Sequence, residues 1–291
     1  MWKLIQIELF KIFKKPRTYI AFAAITAIVG LIQMGFYADG ENFIRFGMRA
    51  LSESFEIEGK VLNGYLLGYI ILQTLLVHVP LLIALVAGDM ISGEANMGTL
   101  RLLVTKPVSR TELIISKFIA SCIYTILLLM WMAVMALFVS LLVFGADDMI
   151  VMKSDVVTFI QQDDVMWRYF AAFGFAMLAM LVVAALAFLL SIFSENSIGP
   201  IVASISIIIV FTILNTLDLP FFNAIKPYLF TTHMLGWKGF FDVKVNAENE
   251  QVIGSIEYLP AILRSAGILF LHIVIFLGLS IAVFRKKDIL S

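Results

Sequence analysis

Charged residues are scarce in this chain, and their scarcity limits the class of protein it can be. Asp, Glu, Lys and Arg make up 14% of the 291 residues, whereas hydrophobic residues make up 61%. Soluble globular domains carry about 25% charged residues. The composition therefore excludes an ordinary water-soluble protein and predicts one that lies in a membrane.

Cysteine and the common catalytic motifs are also nearly absent. Cys122 is the only cysteine, so the chain cannot form an internal disulfide. The sequence contains no H-E-x-x-H, no G-x-S-x-G and no pair of aspartates within an apolar run. It also lacks the G-x-x-x-x-G-K-[ST] loop that binds nucleotide phosphates. We therefore predict no catalytic site and no metal site, and expect any ATP hydrolysis to come from another chain.

Six long runs contain no Asp, Glu, Lys or Arg, and each is long enough to cross a membrane. A hydrocarbon core about 30 Å thick needs about 20 apolar residues in helical form. The alternating strands of about ten residues that indicate a β-barrel do not recur. The sequence therefore predicts one all-α domain over residues 1–291, with six spans at residues 18–37, 64–88, 118–146, 169–194, 196–217 and 265–284.

The fourth and fifth spans are separated by a single charge, Glu195. Ser194, Asn196, Ser197, Gly199 and Pro200 surround it and favour a turn followed by a new helix. Two helices are therefore predicted here, because one continuous helix would exceed the thickness of the bilayer.

The distribution of basic residues predicts the orientation of the chain. Six spans place both termini on one side, and the segments expected on that side carry 12 basic and 6 acidic residues. The opposite segments carry 9 basic and 15 acidic residues. By the positive-inside rule, both termini are predicted in the cytoplasm, in a plasma membrane or a bacterial-type inner membrane.

The N-terminal residues 1–17 predict an amphipathic helix that lies along the membrane surface. Apolar side chains fall near one helical face, and most of the lysines fall elsewhere. Pro16 is expected to end this helix just before the first span. The pattern fits either a generic basic anchor or a docking element.

The segments on the opposite side differ in composition. Residues 38–60 and 147–165 carry many acids and are predicted to form short amphipathic caps. Residues 218–260 form the longest outer loop, where aromatic residues surround two prolines and a glycine. Tyr and Trp favour the membrane interface, so this loop predicts a re-entrant-like or surface-lying segment before the sixth span.

The segment at residues 92–112, between the second and third spans, has features of a docking element. A short apolar cluster follows Gly98 and Thr99, and Pro107 disfavours helix at the residue before it. Ser109 and Glu112 then form an S-x-x-E capping box that begins the next helix. The pattern fits either a short projecting helix that docks on a soluble partner, or an interfacial turn that only joins two spans.

Few polar residues interrupt the spans. We identify His78 and His272 as possible residues of a substrate path or gate, and Asp89 as either an interfacial anchor or a gate. No Asp, Glu, Lys or Arg lies within a span, which disfavours proton- or sodium-coupled transport.

The residues around the second cytoplasmic segment resemble a known family, the ABC-2 superfamily of permeases, the membrane subunits of ATP-binding-cassette exporters. The similarity includes Glu8 and Pro16 in the N-terminal helix and the basic ending at Asp288. Its sharpest part is the run GEANMGTLRLLVTKPVSRTELIISKF, in which the matching residues are Glu94, Gly98, Thr99, Leu102, Leu103, Pro107, Val108, Ser109, Arg110 and Lys117.

This resemblance implies a function and a set of partners. In that family the cytoplasmic run is a coupling helix that rests on an ATPase subunit, which would assign Leu100 and Arg101, with the residues up to Arg110, to transmitting nucleotide-driven motion. It also implies a complex of two permease chains, either two copies or a related pair, with two ATPase subunits that hold ATP and Mg²⁺. This chain itself would need no cofactor, and we expect no nucleic acid among its partners.

Two other functions fit parts of the pattern. A stand-alone secondary transporter or channel would use an ion gradient rather than an ATPase. A membrane-embedded enzyme would need clustered catalytic groups, which the sequence does not contain. The substrate stays open, although neutral apolar spans suit peptides, lipids or other amphipathic cargo better than a small ion.

Overall fold

The structure, a computed structural model, describes residues 1–47, 61–100, 107–152, 157–217, 219–244, 246 and 251–287. Six of its helices are long and apolar enough to cross a membrane. The membrane-length stretches lie at Pro16–Ile44, Gly64–Ala87, Arg110–Phe144, Gln162–Ile192, Ile198–Thr216 and Leu259–Lys286. The prediction of six apolar helices is therefore confirmed by length and composition.

The N-terminal half begins with helix α1, Trp2–Lys14, which ends at an extended Lys15. Helix α2, Pro16–Gly47, starts at the proline that the sequence marks as a break, and it bends at Asp39. Helix α3, Gly64–Ala87, is capped by the Asn63 side chain. The short helix α4, Ser92–Asn96, follows directly.

The third membrane-length stretch is built from three pieces. Helix α5 covers Arg110–Ala133, a π-helical turn covers Val134–Phe138, and helix α6 covers Val139–Phe144. Helix α7, Gln162–Ile192, and helix α8, Ile198–Thr216, are separate helices, which confirms the turn predicted around Glu195. Helix α11, Leu259–Lys286, is the last long helix.

Between α8 and α11 the chain forms short helical pieces. These are α9, Pro220–Asn223, a 3₁₀ turn at Lys226–Tyr228, α10, Phe230–Met234, and a second 3₁₀ turn at Leu235–Phe241. Trp237 and Phe241 are buried and pack against Tyr69 of α3 at ring-centroid distances of 5.5 and 5.1 Å. These two aromatic side chains thus pack into the protein itself, whereas Phe221 and Tyr228 of the same segment are exposed.

A small β-hairpin corrects the prediction of an all-α chain. Strand β1, Met149–Met152, pairs with strand β2, Val157–Ile160, in an antiparallel ladder that places Met149 opposite Ile160. The sequence analysis predicted an amphipathic cap over residues 147–165. The two apolar stretches are too short for stable helices and are rich in β-branched residues, so strand pairing buries them better.

Several helices begin before the spans predicted within them. The first, third, fourth and sixth were predicted at 18–37, 118–146, 169–194 and 265–284, but their helices begin at Pro16, Arg110, Gln162 and Leu259. A charge-free run marks only the part of a helix without ionised groups. The third and fourth helices, for example, continue through Lys117 and through the Asp164–Arg168 pair, whose charges are paired within the protein. Of the segment at 38–60, residues 38–47 continue helix α2 rather than forming a separate cap, and residues 48–60 lie outside the described residues.

Helix α7 forms the centre of the bundle and packs against α3, α5, α8 and α11. In its most apolar window 78% of the residues are buried, compared with 11% in α8. Small side chains such as Ala176, Ala179 and Ala184 lie fully buried on α7 and permit the close approach of neighbouring helices. Because α7 occupies the centre, the helices around it leave wide apolar faces exposed on the single chain.

Candidate functional site

One end of the bundle gathers segments that are far apart in the sequence. Helix α1, the end of α3, helix α4, the start of α5, the turn before α8 and the end of α11 all meet there. This arrangement places the start of the chain and the end of its last helix at the same end, as six spans require. Which face of the membrane this end occupies follows only from the count of basic residues.

Helix α1 packs on the bundle through a face that includes one acid. Ile5 and Ile12 are buried, and Glu8 lies between them with 4% of its surface exposed. Trp2 and Phe10 are exposed on another face. Helical spacing predicts Trp2, Ile5 and Ile12 near one apolar face, but in the structure Ile5 and Ile12 contact the protein whereas Trp2 is exposed.

Two glutamates and two lysines form a closed ring of ion pairs beneath α1. Lys11 Nζ lies 2.8 Å from Glu8 Oε1 and 2.8 Å from Glu94 Oε1. Lys117 Nζ lies 2.8 Å from Glu8 Oε2 and 2.7 Å from Glu94 Oε2. Each carboxylate therefore bridges both lysines. The ring joins α1, α4 and α5, which come from separate segments of the chain.

Burial makes this ring different from a surface ion pair. Lys117 is fully buried, and Glu94 is 6% exposed. Charges removed from water are costly unless each is matched, and here every carboxylate oxygen has a lysine beside it. Burial alone would raise the pKa of Glu8, but Lys117 and Lys11 outweigh it and lower that pKa below its usual value. Burial likewise opposes the charge of Lys11, but Glu8 and Glu94 raise its pKa.

A second cluster surrounds Asp89, next to the ring. Lys15 Nζ lies 2.8 Å from Asp89 Oδ2, and the Arg17 guanidinium pairs with the same oxygen. The Ser197 hydroxyl donates to Asp89 Oδ1. A methyl group at Gly93 would lie 2.4 Å from that carboxylate, so glycine leaves room for it. Asp89 thus links the start of α2 to the end of α3 and to the turn before α8, in an anchoring position.

The two clusters enclose little space. A cavity of about 20 Å³ lies between them, which is room for about one water molecule. Among the residues that the structure describes, no group of three or more His, Cys, Asp or Glu side chains is placed to hold a metal ion. The arrangement is suited to holding helices together rather than to catalysis.

The predicted coupling segment is described only in part. Gly98 ends α4 in the left-handed conformation, with φ of 69°. The Thr99 hydroxyl donates to the Glu94 carbonyl, and Leu100 is buried. Arg101, Leu102 and Leu103 fall in residues 101–106, which lie outside the described residues, as does Asp288 at the chain end.

The second part of this segment begins helix α5. Pro107 is exposed and Val108 is half-buried. Ser109 and Glu112 form the capping box that the sequence predicts, with both reciprocal hydrogen bonds present. The prediction of a helix start at this point is confirmed.

Arg110 contacts the end of the last helix. Its guanidinium donates to the backbone carbonyls of Arg285 and Lys287 at 3.1 and 2.8 Å. Cations stabilise helix C-termini because the last carbonyls lack partners within the helix. Lys287 Nζ in turn donates to the Ile192 carbonyl at 2.6 Å. Arg110 therefore connects α5 to α11 in this structure.

The two histidines predicted for a substrate path lie away from these clusters. His78 Nδ1 is 2.9 Å from the Thr74 carbonyl, and His272 Nδ1 is 2.8 Å from the Ile268 carbonyl. His272 also packs edge-on against Phe230. His78 differs because its side chain is exposed, on the same face of α3 as Gln73 and Thr74. This polar stripe therefore lies in the middle of a membrane-length helix.

The opposite end of the bundle holds a buried pair that the sequence analysis did not identify. Arg168 donates to Asp164 Oδ2 at 2.6 Å, and both lie on α7. Arg168 also donates to the Phe240 and Ser255 carbonyls at 2.7 Å each. The pair therefore holds the outer segment before α11 against α7. Its i, i+4 spacing was a signal, but Arg168 had been assigned to an outer loop because a charge-free span begins after it.

The ion-pair ring was not predicted either, although Glu8, Glu94 and Lys117 were each named in the resemblance to ABC-2 permeases. Glu8 is the only acid in α1, and it lies between Ile5 and Ile12 at helical spacing. An acid on a buried apolar face needs a buried cation, so this position was a usable signal. Nothing in the sequence indicates that Lys117 is its partner, because that contact crosses 109 residues.

These features define a class of protein. Six apolar membrane-length helices, with paired buried charges at both ends of the bundle, indicate a multi-pass helical membrane protein. Residues 27–290 match the family described as Protein of unknown function (DUF2705), and the chain belongs to that family.

A curated relative shares part of the sequence. The chain is 24% identical over 213 residues to a protein of Bacillus subtilis (strain 168) named Uncharacterized protein YhcI. The match covers 70% of this chain and 63% of the relative, so the chain spans less than two thirds of the relative's length.

Proposed function

We propose that this chain is the membrane permease subunit of an ABC transporter. It moves its cargo, in the export direction, by means of ATP that a separate nucleotide-binding subunit hydrolyses with Mg²⁺. Its termini and the segment at residues 92–112 lie on the cytoplasmic side of a plasma membrane or a bacterial-type inner membrane. The support is the resemblance of that segment to ABC-2 permeases, the excess of basic residues at this end, and the absence of a phosphate-binding loop in the sequence.

The buried ring of Glu8, Lys11, Glu94 and Lys117 is the observation that carries the proposal. A docking segment transmits force only if it is joined firmly to the helices that must move. The ring joins the segment through Glu94 to α1 and to the third membrane-length helix. A push on residues 92–112 would therefore move three elements together. An interfacial turn that only connects two spans needs no such buried network.

The polar stripe on α3 supports an assembly with a second permease chain. Gln73, Thr74 and His78 are exposed at mid-helix, where lipid would solvate them poorly. Polar side chains at this depth usually face another helix or a water-filled path. A second copy, or a related permease, would cover the stripe, and the path between the two chains would carry amphipathic cargo.

Co-purification tests the partner. The full chain is tagged in its native membrane, extracted gently and examined for an ATPase with a phosphate-binding loop in a stoichiometric amount. We expect such a subunit. A stable particle of this chain alone, with flux that follows an ion gradient and needs no ATPase, would instead make it a stand-alone secondary transporter or channel.

Substitutions in the segment test its role once the complex is in hand. Leu103→Asp should separate ATP hydrolysis from transport while the protein still inserts into the membrane. Arg110→Glu should do the same, and it should also loosen the end of α11, which Arg110 contacts. Ile253→Asp is the matched control, because Ile253 is exposed in the outer segment that Arg168 binds. Normal coupling in both segment variants would argue against the proposal.

A further inference from the structure

An open cavity lies beside the Asp89 cluster, at the start of the first membrane-length helix. Its volume is about 410 Å³. Its polar lining comes from α2, the end of α3, α4 and the turn before α8, and comprises Lys15, Arg17, Asp89, Asn96 and Ser197. Gly93 also lines it, and a Cβ at this position would lie 2.4 Å from Asp89 Oδ1.

The cations of this cavity outnumber the charges that balance them. Lys15 and Arg17 share a single oxygen of Asp89, and the other oxygen accepts from Ser197. The neighbouring ring uses both of its glutamates for Lys11 and Lys117. Four cations thus face three carboxylates, which leaves one positive charge in excess.

The pKa of Lys15 is consistent with this excess of positive charge. Burial, and then the repulsion of Arg17, lower the pKa of Lys15 to about 8 despite its contact with Asp89. A bound anion would offset both effects. The cavity is open on one side, so an anion can enter it without unfolding the cluster.

The position of the cavity indicates which anion it suits. Lys15 and Arg17 flank Pro16, where the amphipathic α1 ends and the apolar helix α2 begins. Trp2 and Phe10 are exposed on α1, and exposed aromatics on an amphipathic helix are typical of the headgroup level. A group at this depth meets lipid phosphates more often than soluble metabolites.

We propose that this cavity binds the phosphate group of an anionic phospholipid, with Arg17 and Lys15 as its charged ligands. A guanidinium matches two phosphate oxygens at once, and the ammonium adds a point charge. The Asn96 side chain lies in the lining and can supply a neutral donor. One phosphodiester charge would balance the one excess cation. Inorganic phosphate shares this chemistry, so the experiment separates the two sources.

The test is lipid titration of the full chain in a neutral detergent. Dioleoyl phosphatidylglycerol, dioleoyl phosphatidylcholine and inorganic phosphate are added separately, and tryptophan fluorescence reports the midpoint of thermal unfolding. We expect saturable stabilisation by phosphatidylglycerol and none by phosphatidylcholine. Arg17→Gln should weaken the apparent lipid affinity about fivefold. Arg17→Gln keeps the Lys15–Asp89 pair. If Arg17→Gln does not fold, Lys15→Gln provides the same test.

Lys14→Gln is the matched control, because Lys14 has the same charge but is exposed on α1 and does not line the cavity. It should leave the lipid affinity unchanged. Equal weakening by Lys14→Gln would mean general attraction to a basic surface and would overturn the proposal. So would the absence of stabilisation by phosphatidylglycerol. Saturable stabilisation by inorganic phosphate that Arg17→Gln removes would assign the site to free phosphate instead of lipid. None of these outcomes depends on an ATPase partner.

Discussion

Burying the charged side chain of Lys117 is energetically unfavourable unless the charge is paired, so its partners determine whether it can lie there. A buried ammonium group loses its hydration, and only close carboxylates offset that loss. Glu8 and Glu94 supply them from two other segments. The pairing therefore works as a specificity device: α1 and α4 can pack on α5 only in the arrangement that places both acids beside the lysine.

Lys117→Met should destabilise the protein strongly. It leaves two buried glutamates with one partly exposed lysine between them, and removal of one partner of a buried pair costs about 3–5 kcal/mol. Equilibrium unfolding in mixed micelles measures this change. Adding Glu8→Gln and Glu94→Gln to Lys117→Met should recover most of the loss, because the buried carboxylates are then replaced by neutral amides and the remaining charge, Lys11, is partly exposed. Lys14→Met, at an exposed site, should change stability by less than about 0.5 kcal/mol.

Lys15 should react unusually fast with amine reagents near neutral pH. Only the neutral amine reacts, and with a pKa of about 8 roughly half of Lys15 is neutral at pH 8, compared with well under 1% of an ordinary lysine. The charged groups that act on it are Asp89 and Arg17 beside it, and Glu94, Lys11 and Lys117 in the ring.

Mass spectrometry of labelled peptides between pH 6 and 10 gives the rate at Lys15. The control variant is Arg17→Gln, which removes the nearest cation and should raise the pKa of Lys15 and slow its labelling at pH 8. A rate at Lys15 no greater than that of an unstructured lysine peptide would contradict the prediction.

At the scale of elements, α1 is held by charge as well as by apolar contact. Ile5 and Ile12 are its buried apolar residues, and its inner face also makes ion pairs to α4 and α5. Such an interface depends on protonation in a way that an apolar one does not. At the other end, the buried Asp164–Arg168 pair likewise holds the outer segment through charge.

Acid should therefore release α1 before the bundle unfolds. The pKa of Glu8 is lower in the folded protein than its ordinary 4.5, so its contribution to docking is present above pH 4.5 and lost as pH falls through the folded value. The pKa of Lys11 is raised above 10.5, so its contribution is lost only as pH rises past that point. Docking should thus be stable from about pH 5 to 10.

Hydrogen exchange measures this release, with rates corrected for the intrinsic effect of pH. Protection of Trp2–Lys14 should fall as the pH drops below the ordinary glutamate pKa of 4.5, whereas Ile198–Thr216, which has no titratable side chain, should keep its protection. Glu8→Gln should weaken protection of α1 already at pH 7. Parallel loss in both helices would mean global acid unfolding instead.

At the scale of the whole molecule, the single chain leaves large apolar faces and one polar stripe uncovered. Lipid can cover the apolar faces of α8 and α11 at no cost. The stripe of Gln73, Thr74 and His78 is different, because its polar groups lie at mid-helix. The proposed pairing of two permease chains gives this stripe a partner.

Cross-linking in native membranes tests that arrangement. In a Cys122→Ala background, His78→Cys should link two copies with a short bifunctional maleimide, provided that the assembly is a homodimer. Leu142→Cys is the control, since Leu142 is 85% exposed on an apolar face. Equal linking at both positions would indicate random collision, and no linking at position 78 would place the stripe against lipid or a different chain.

Local chemistry was enough to predict much of this protein from its sequence. Apolar length predicted six helices, Pro16 the break after α1, the residues around Glu195 a turn, and Ser109 with Glu112 a helix start. Each depends on residues within a few positions of one another, where backbone sterics, capping and hydrophobicity act directly. The paired strands Met149–Met152 and Val157–Ile160 were not predicted because strand pairing competes with helix in short apolar stretches.

Only the tertiary structure decided which charges belong together. The ring joins residues 8 and 117, the Asp89 cluster joins residues 17 and 197, and Arg110 reaches the carbonyls of the last helix. Composition counts these charges but does not pair them, because a charge that is costly in an apolar bundle is stabilised by whichever opposite charge the packing brings within about 3 Å. That is why the helices could be predicted from the sequence, whereas the charge clusters that join them could not.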